Sequence, residues 1–163
     1  MSTREDQVKK LLTKVDATWE AFRESYAGLQ VARLLEPGVV DDWSVKDILA
    51  HVTTWEEEAL KHLPVIIAGG RPPRYVTTYG GIDAFNARMT ERKRGLSLAD
   101  IRGQLDDTHR QLIAFMNAPA SQFTRETRAR RRLRLDTYSH YPIHTQMIQE
   151  WRKQRHTGEG RSP

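Results

Sequence analysis

The sequence contains no cysteine among its 163 residues. This absence excludes thiol nucleophiles, thiolate metal ligands and disulfide bonds, and it leaves imidazole and carboxylate groups as the strong metal ligands. No apolar run approaches the roughly 20 residues that span a bilayer. The charged N-terminus, MSTREDQVKK, also lacks the apolar stretch of a signal peptide. We therefore expect a cytoplasmic protein with no membrane partner.

Internal repeats and convincing strand patterns are also missing, whereas helical periodicity is abundant. Hydrophobic residues make up 38% and charged residues 29% of a chain that has the length of one ordinary domain. Residues 1–156 are predicted to form this domain, and residues 157–163, TGEGRSP, a disordered tail.

Four segments carry apolar residues every three or four positions, which is the pattern of an amphipathic helix. Serines stand at the predicted N-cap positions, and prolines mark the predicted ends. The sequence therefore predicts an all-α protein, a four-helix bundle with a long crossover between its second and third helices. The predicted helices cover about residues 8–26, 45–64, 98–118 and 139–156.

Two segments between these helices are interpreted as irregular connections. Residues 68–81, AGGRPPRYVTTYGG, are rich in glycine and proline, and long loops of this kind are often functional. The run from Arg125 to Arg134 has six arginines and one glutamate, so it could attract nucleic acid or another acidic partner. It lacks interleaved aromatics and a groove-reading element. We interpret it as a solvated connection and disfavour nucleic acid as a partner.

Three histidines form the candidate site. His140 and His144 are four positions apart, so on a helix both imidazoles lie on one face and can reach one metal ion. His51 stands on the core-facing stripe of the second helix, where a buried imidazole needs a partner. If the three converge, the metal keeps positions open for water or substrate. The alternative is that His51 is a core histidine, hydrogen-bonded to the backbone or to a tyrosine.

Carboxylates and hydroxyls near these histidines are candidates for proton transfer and substrate orientation. Glu58 follows His51 by two helical turns on the same face and is a candidate for a hydrogen bond to a metal ligand or for the general base. Tyr138 precedes the histidine pair of the last helix and is a candidate for orienting a substrate. The neighbouring Glu56 and Glu57 are predicted to face solvent. The remaining histidines, predicted to be solvated, are His62, His109 and His156.

Two stretches resemble the DinB-like superfamily: WSVKDILAHVTTWE, residues 43–56, and HYPIHTQMIQEWR, residues 140–152. A third, IDAFNARMTERKRGLSLADI, is similar to a segment of the ClbS/DfsB branch. The resemblance extends over roughly residues 8–155. It implies a four-helix bundle, commonly a homodimer, in which His51, His140 and His144 hold a divalent ion such as zinc, nickel or iron.

The activities that this resemblance implies are diverse, and function belongs to the site rather than to the fold. The leading hypothesis is a divalent-metal-dependent hydrolase or thiol-dependent transferase. It would act on a small electrophilic molecule, in detoxification or stress protection. One alternative is a non-catalytic bundle that sequesters a small molecule. The other is a stress protein that binds DNA or an acidic partner through the arginine-rich run.

Overall fold

The computed structural model describes residues 2–118 and 120–159, and these residues form helices without a strand. This architecture confirms the predicted all-α four-helix bundle. None of the helices in the described ranges is long and apolar enough to cross a membrane. In chain order the helices are α1 (Arg4–Tyr26), α2 (Val31–Leu34), α3 (Val45–Ile67), α4 (Tyr75–Tyr79), α5 (Ile82–Arg94), α6 (Leu98–Asn117), α7 (Arg128–Asp136) and α8 (Tyr141–Glu159), with a 3₁₀ turn at Ala120–Phe123.

Local sequence determines where the four long helices, α1, α3, α6 and α8, begin. Thr3, Ser44 and Ser97 each cap a helix by accepting a hydrogen bond from the backbone N–H of an aspartate three residues on. The aspartate side chain in turn accepts from the backbone N–H of the capping residue. α8 begins at Tyr141, and Pro142 lies in its first turn, where a missing N–H costs no helical hydrogen bond.

Helix α3 is the centre of the bundle. It packs against α5, α6 and α7, while α1 packs along α8. Its inner face is fully buried at Val45, Ile48, Val52, Ala59 and Leu63, which follow one another at helical spacing. The burial of this face on several sides explains why side chains of α3 contact both the last helix and the crossover.

Several boundaries differ from the sequence prediction. α3 continues past Pro64 to Ile67, because Leu63 is fully buried and Ile66 and Ile67 pack against the core. This packing offsets the one backbone hydrogen bond that a proline removes. α8 extends to Glu159, beyond the predicted domain boundary at 156, and residues 160–163 of the predicted tail lie outside the described residues.

The two predicted connections contain helices. The crossover between α3 and α6 includes α4 and the 13-residue α5. In the arginine-rich run, Thr127 caps α7, and the buried Ala129 and Leu133, four positions apart, form its inner face. α7 packs against α3 through this narrow apolar face. α7 therefore places arginines beside the candidate site instead of in a solvated linker.

Candidate metal centre

The three predicted histidines meet where α3 approaches the start of α8. His51 belongs to α3, His144 lies on α8, and His140 immediately precedes α8. The Nε2 atom of His140 is 3.1 Å from that of His51 and 2.9 Å from that of His144. One potential ligand atom from each residue lies within 4.8 Å of the other two. The three residues thus form a group that could hold a metal ion.

The donor chemistry of this trio fits a cation. A neutral imidazole nitrogen carries either one proton or one lone pair. His140 Nε2 has two close nitrogen neighbours, so it would have to share a single proton or a single lone pair between them. A metal ion accepts all three lone pairs at once. Nitrogens bound tetrahedrally at 2.0–2.1 Å lie roughly 3.3 Å apart, close to the two separations found here.

Burial keeps all three imidazoles in the neutral form that metals require. Desolvation lowers the pKa of His51 to about 3, with a smaller contribution from His144. Desolvation and the two neighbouring imidazoles lower the pKa of His140 to about 2. Desolvation alone lowers the pKa of His144 to about 4. At neutral pH the three lone pairs are therefore available for a ligand, and metal binding need not displace a proton.

No carboxylate in the described part of the chain contacts these rings, so packing orients them. The Nδ1 atoms of His140 and His144 are buried and have no hydrogen-bond partner among the described residues. The ring centroid of His51 lies 5.1 Å from that of Trp43, and that of His140 lies 6.4 Å from that of Trp55. Carboxylates often accept the second N–H of a metal-bound histidine. In this chain the surrounding aromatic rings hold the imidazoles in place.

A cavity of about 330 Å³ opens beside two of the histidines. Its size is at the lower end of the range for small-molecule sites. The wall combines aromatic, aliphatic and charged groups from α3, α4, α5 and α7. The lining residues are His51, Trp55, Tyr75, Ile82, Asn86, Arg132, Leu135, Asp136 and His140.

A chain of polar contacts supports one wall of this cavity. Glu58 accepts a hydrogen bond of 2.7 Å from the hydroxyl of Tyr75. The same Tyr75 hydroxyl accepts a hydrogen bond of 2.8 Å from Arg132 Nη2. Arg132 Nε also donates to Asp136 over 2.5 Å. Burial raises the pKa of Asp136 to about 7, against the opposing effect of the Arg132 guanidinium. Glu58 also contacts His62 at 2.9 Å and the ammonium of Lys61 at 3.9 Å.

The predicted proton-transfer residues occupy different places. Glu58 is next to the cavity wall through Tyr75, but it contacts none of the three candidate ligands. Tyr138 is buried, its ring lies 4.9 Å from the ammonium of Lys14, and it is not part of the cavity wall. Their catalytic roles remain predictions.

Some polar residues expected at the surface are buried. Glu56 is 0% exposed and accepts hydrogen bonds from the Tyr141 hydroxyl and from His109 Nδ1, the latter over 2.8 Å. His109 stacks on Trp19 with 3.7 Å between ring centroids, and His62 is also buried. The prediction that Glu56, His62 and His109 are solvated is therefore wrong. The His156 side chain lies outside the described residues.

The burial of Glu56 has a signal in the sequence. Position 56 follows Val52 by four residues and precedes Ala59 by three, so it continues the apolar stripe of α3. The acidic run EEE hides this register, because three adjacent glutamates look like a solvated face. The helical spacing is the better guide here, since Glu57 is exposed as predicted.

Comparison with solved structures identifies a chain of the same fold. The colibactin self-resistance protein ClbS, in a crystal structure with double-stranded DNA, aligns with a TM-score of 0.73 and 14% sequence identity. The alignment covers 94% of this chain and 97% of ClbS. At this identity the likeness shows the fold. Because that protein was crystallised with DNA, the sequence-based expectation that disfavours nucleic acid as a partner is wrong.

A comparison with protein families gives the family directly. No curated protein matches the sequence. The model of the DinB superfamily, in contrast, matches residues 14–147, which include most of the chain and all three candidate ligands. The predicted resemblance is thereby confirmed, and the chain belongs to the DinB superfamily.

Proposed function

We propose that this protein is a divalent-metal-dependent enzyme, a hydrolase or thiol-dependent transferase that acts on a small electrophilic molecule in detoxification or stress protection. The observation that carries the proposal is the convergence of three imidazoles beside a cavity that His51 and His140 line. Three imidazoles leave a coordination position open, as in catalytic zinc sites. Zinc, nickel and iron all accept such ligands.

His51, His140 and His144 would hold the ion. A bound divalent ion lowers the pKa of a coordinated water or thiol, which provides a nucleophile at neutral pH. The chain has no cysteine, so a thiol must come from a small-molecule cosubstrate. Glu58, through its bond to the Tyr75 hydroxyl, keeps Arg132 at the cavity wall. Asp136 is the wall carboxyl whose raised pKa suits proton exchange near neutral pH.

The test is turnover by protein purified without a histidine tag or a chelator. We expect hydrolysis of activated esters, or transfer of glutathione to an aryl halide, that stops on dialysis against a chelator. Activity should return when zinc, nickel or ferrous iron is added. Turnover that survives complete removal of metal would contradict the proposal. Ligand binding without any turnover would favour the sequestering bundle.

A second candidate function is binding of duplex DNA through α7. Arg128 and Arg131 are exposed on this helix, and Arg71, which follows Gly70 in the crossover, is exposed as well. The contact that joins the two segments is a hydrogen bond of 3.2 Å from Arg128 to the carbonyl of Gly70. Clustered arginines bind phosphates with little regard to sequence. The DNA complex of a protein with the same fold supports this candidate.

Neutralising this basic face should weaken DNA binding. We expect the double variant Arg128→Gln and Arg131→Gln to bind a 20-base-pair duplex roughly tenfold less tightly, with a salt slope lower by about two. Fluorescence anisotropy between about 50 and 200 mM salt measures both quantities. The matched control changes Arg102 and Arg110, two exposed arginines of α6, to glutamine. Equal losses in the two double variants would mean that net charge alone, and not α7, binds DNA.

A further inference from the structure

Two hydrogen-bond donors at the cavity wall have no partner within residues 2–118 and 120–159. They belong to Asn86 on α5 and Arg132 on α7, which both line the cavity beside His51 and His140. A few well-oriented polar groups give an otherwise apolar pocket its specificity. The orientation of both side chains is determined by their other contacts.

The indole of Trp55 fixes the amide of Asn86. Trp55 Nε1 donates a hydrogen bond of 3.0 Å to Asn86 Oδ1. An indole N–H can only donate, so the oxygen of the amide must face Trp55 and the NH₂ group must point away from it. This NH₂ group has no hydrogen-bond partner among the described residues. Asn86 is therefore a donor that can serve a bound molecule.

Arg132 is held in a similar way. Its Nε donates to Asp136, and its Nη2 donates to the Tyr75 hydroxyl. The guanidinium carbon also lies 5.8 Å from the ring centroids of both Trp55 and Tyr75. Nη1 makes no hydrogen bond with any described residue, although the group lines the cavity. The remaining edge of the guanidinium is thus available to an acceptor in the cavity.

Aromatic and aliphatic side chains form the apolar part of the wall. Trp55 and Tyr75 are partly buried aromatic rings with 5.4 Å between centroids. Ile82 is 53% exposed and Leu135 is 58% exposed, so a ligand would cover apolar surface that otherwise faces water. A cavity of about 330 Å³ has room for a molecule of roughly two fused rings.

In the metal-free cavity, the charges of the protein's own side chains favour a neutral ligand over an anion. The Arg132 guanidinium is already in an ion pair with Asp136, and Glu58 lies one hydrogen bond further along the same chain of contacts. A carboxylate ligand would therefore meet two protein carboxylates near one guanidinium. A carbonyl oxygen needs only the donors and adds no charge.

We infer that the cavity binds a neutral, flat and largely apolar molecule whose carbonyl-type oxygens accept hydrogen bonds from Asn86 and Arg132. The inference rests on the proposed function and names its substrate class as neutral amides, imides, esters or ketones joined to a ring system. Asn86 and Arg132 are the residues that determine this specificity. The aromatic pair Trp55 and Tyr75 contacts the ring system.

The test uses N-methylphthalimide as the probe, with indane as the same shape without oxygens and phthalate as the anion. The full chain, ¹⁵N-labelled, is titrated both as purified and after treatment with a chelator. The shift of the Trp55 indole N–H resonance, assigned with Trp55→Phe, reports binding. We expect the imide to bind roughly tenfold more tightly than indane, because it gains about one net hydrogen bond. In chelator-treated protein the imide should also bind more tightly than phthalate.

Variants test the two donors separately. Asn86→Asp keeps an oxygen for the Trp55 N–H but replaces the NH₂ donor with an acceptor, so imide affinity should fall about tenfold while indane affinity stays the same. Arg132→Lys keeps the charge, loses the planar fork and should have the same effect. The matched control is Asn117→Asp, an exposed amide at the end of α6, which should change neither affinity.

The outcomes separate this inference from the proposed function. Three results would each overturn the inference. The first is equal affinity for imide and indane, and the second is tighter binding of phthalate than of imide by chelator-treated protein. The third is a folded Asn86→Asp variant whose imide affinity is unchanged. Specific imide binding without metal-dependent turnover would leave the inference standing and contradict the proposed enzyme. Metal-dependent turnover without imide binding in the cavity would support the proposed enzyme and contradict the inference.

Discussion

Replacing His144 with alanine should abolish binding of the proposed divalent ion and leave the helical content unchanged. The Nε2 atom of His144 is one of the three converging nitrogens, and two imidazoles alone make a weak site. Changes to groups outside the ligand shell already cost about 10- to 100-fold in metal affinity, so loss of a ligand should cost more. Alanine is the strongest helix former, which favours retention of α8.

Elemental analysis of protein purified without a histidine tag measures this effect. We expect about one ion per chain in the native protein, as in mononuclear zinc sites, and almost none in His144→Ala or His51→Ala. His62→Ala is the matched control, because His62 is a buried histidine of α3 that pairs with Glu58 and not with the trio. A full complement of metal in the His144 and His51 variants, with circular dichroism unchanged, would disprove the ligand assignment.

Replacing Glu56 with alanine should produce the largest loss of stability in the bundle. The side chain is fully buried and accepts hydrogen bonds from Tyr141 and His109. Alanine would leave both donors without this acceptor and would open a cavity between α3, α6 and α8. Each buried donor left unsatisfied costs about 1–3 kcal/mol, and the cavity adds to this loss. Urea unfolding followed by circular dichroism, in the presence of a chelator, measures the change.

Glu56→Gln separates the charge of this group from its shape. Burial raises the pKa of Glu56 in the folded protein above its ordinary value of 4.5. A raised carboxyl pKa contributes stability that is fully present below the unfolded pKa and is lost as pH rises through the folded one. Relative to the native protein, Glu56→Gln should therefore become more stable as pH rises above the ordinary carboxyl pKa of 4.5. A stability difference that does not change with pH would mean that the carboxyl titrates normally.

Local signals were sufficient for the helices that bury a wide apolar stripe. The recurring apolar residues and the capping boxes at Ser44 and Ser97 predict α3 and α6, and both begin where those signals are. α7 was missed because only Ala129 and Leu133 form its inner face, and five arginines surround them. A single turn of apolar residues is too little to predict a helix that packing against α3 stabilises.

By itself the sequence determined which chemistry was available: imidazole without thiols, with His140 and His144 one turn apart and His51 on a buried face. Spacing along a helix predicts a shared face, because every residue advances by the same angle. Only the tertiary structure decided that the faces of α3 and α8 meet, and that Asn86 and Arg132 line the same cavity. Those contacts join residues far apart in the chain, and their geometry depends on how whole helices pack rather than on any local pattern.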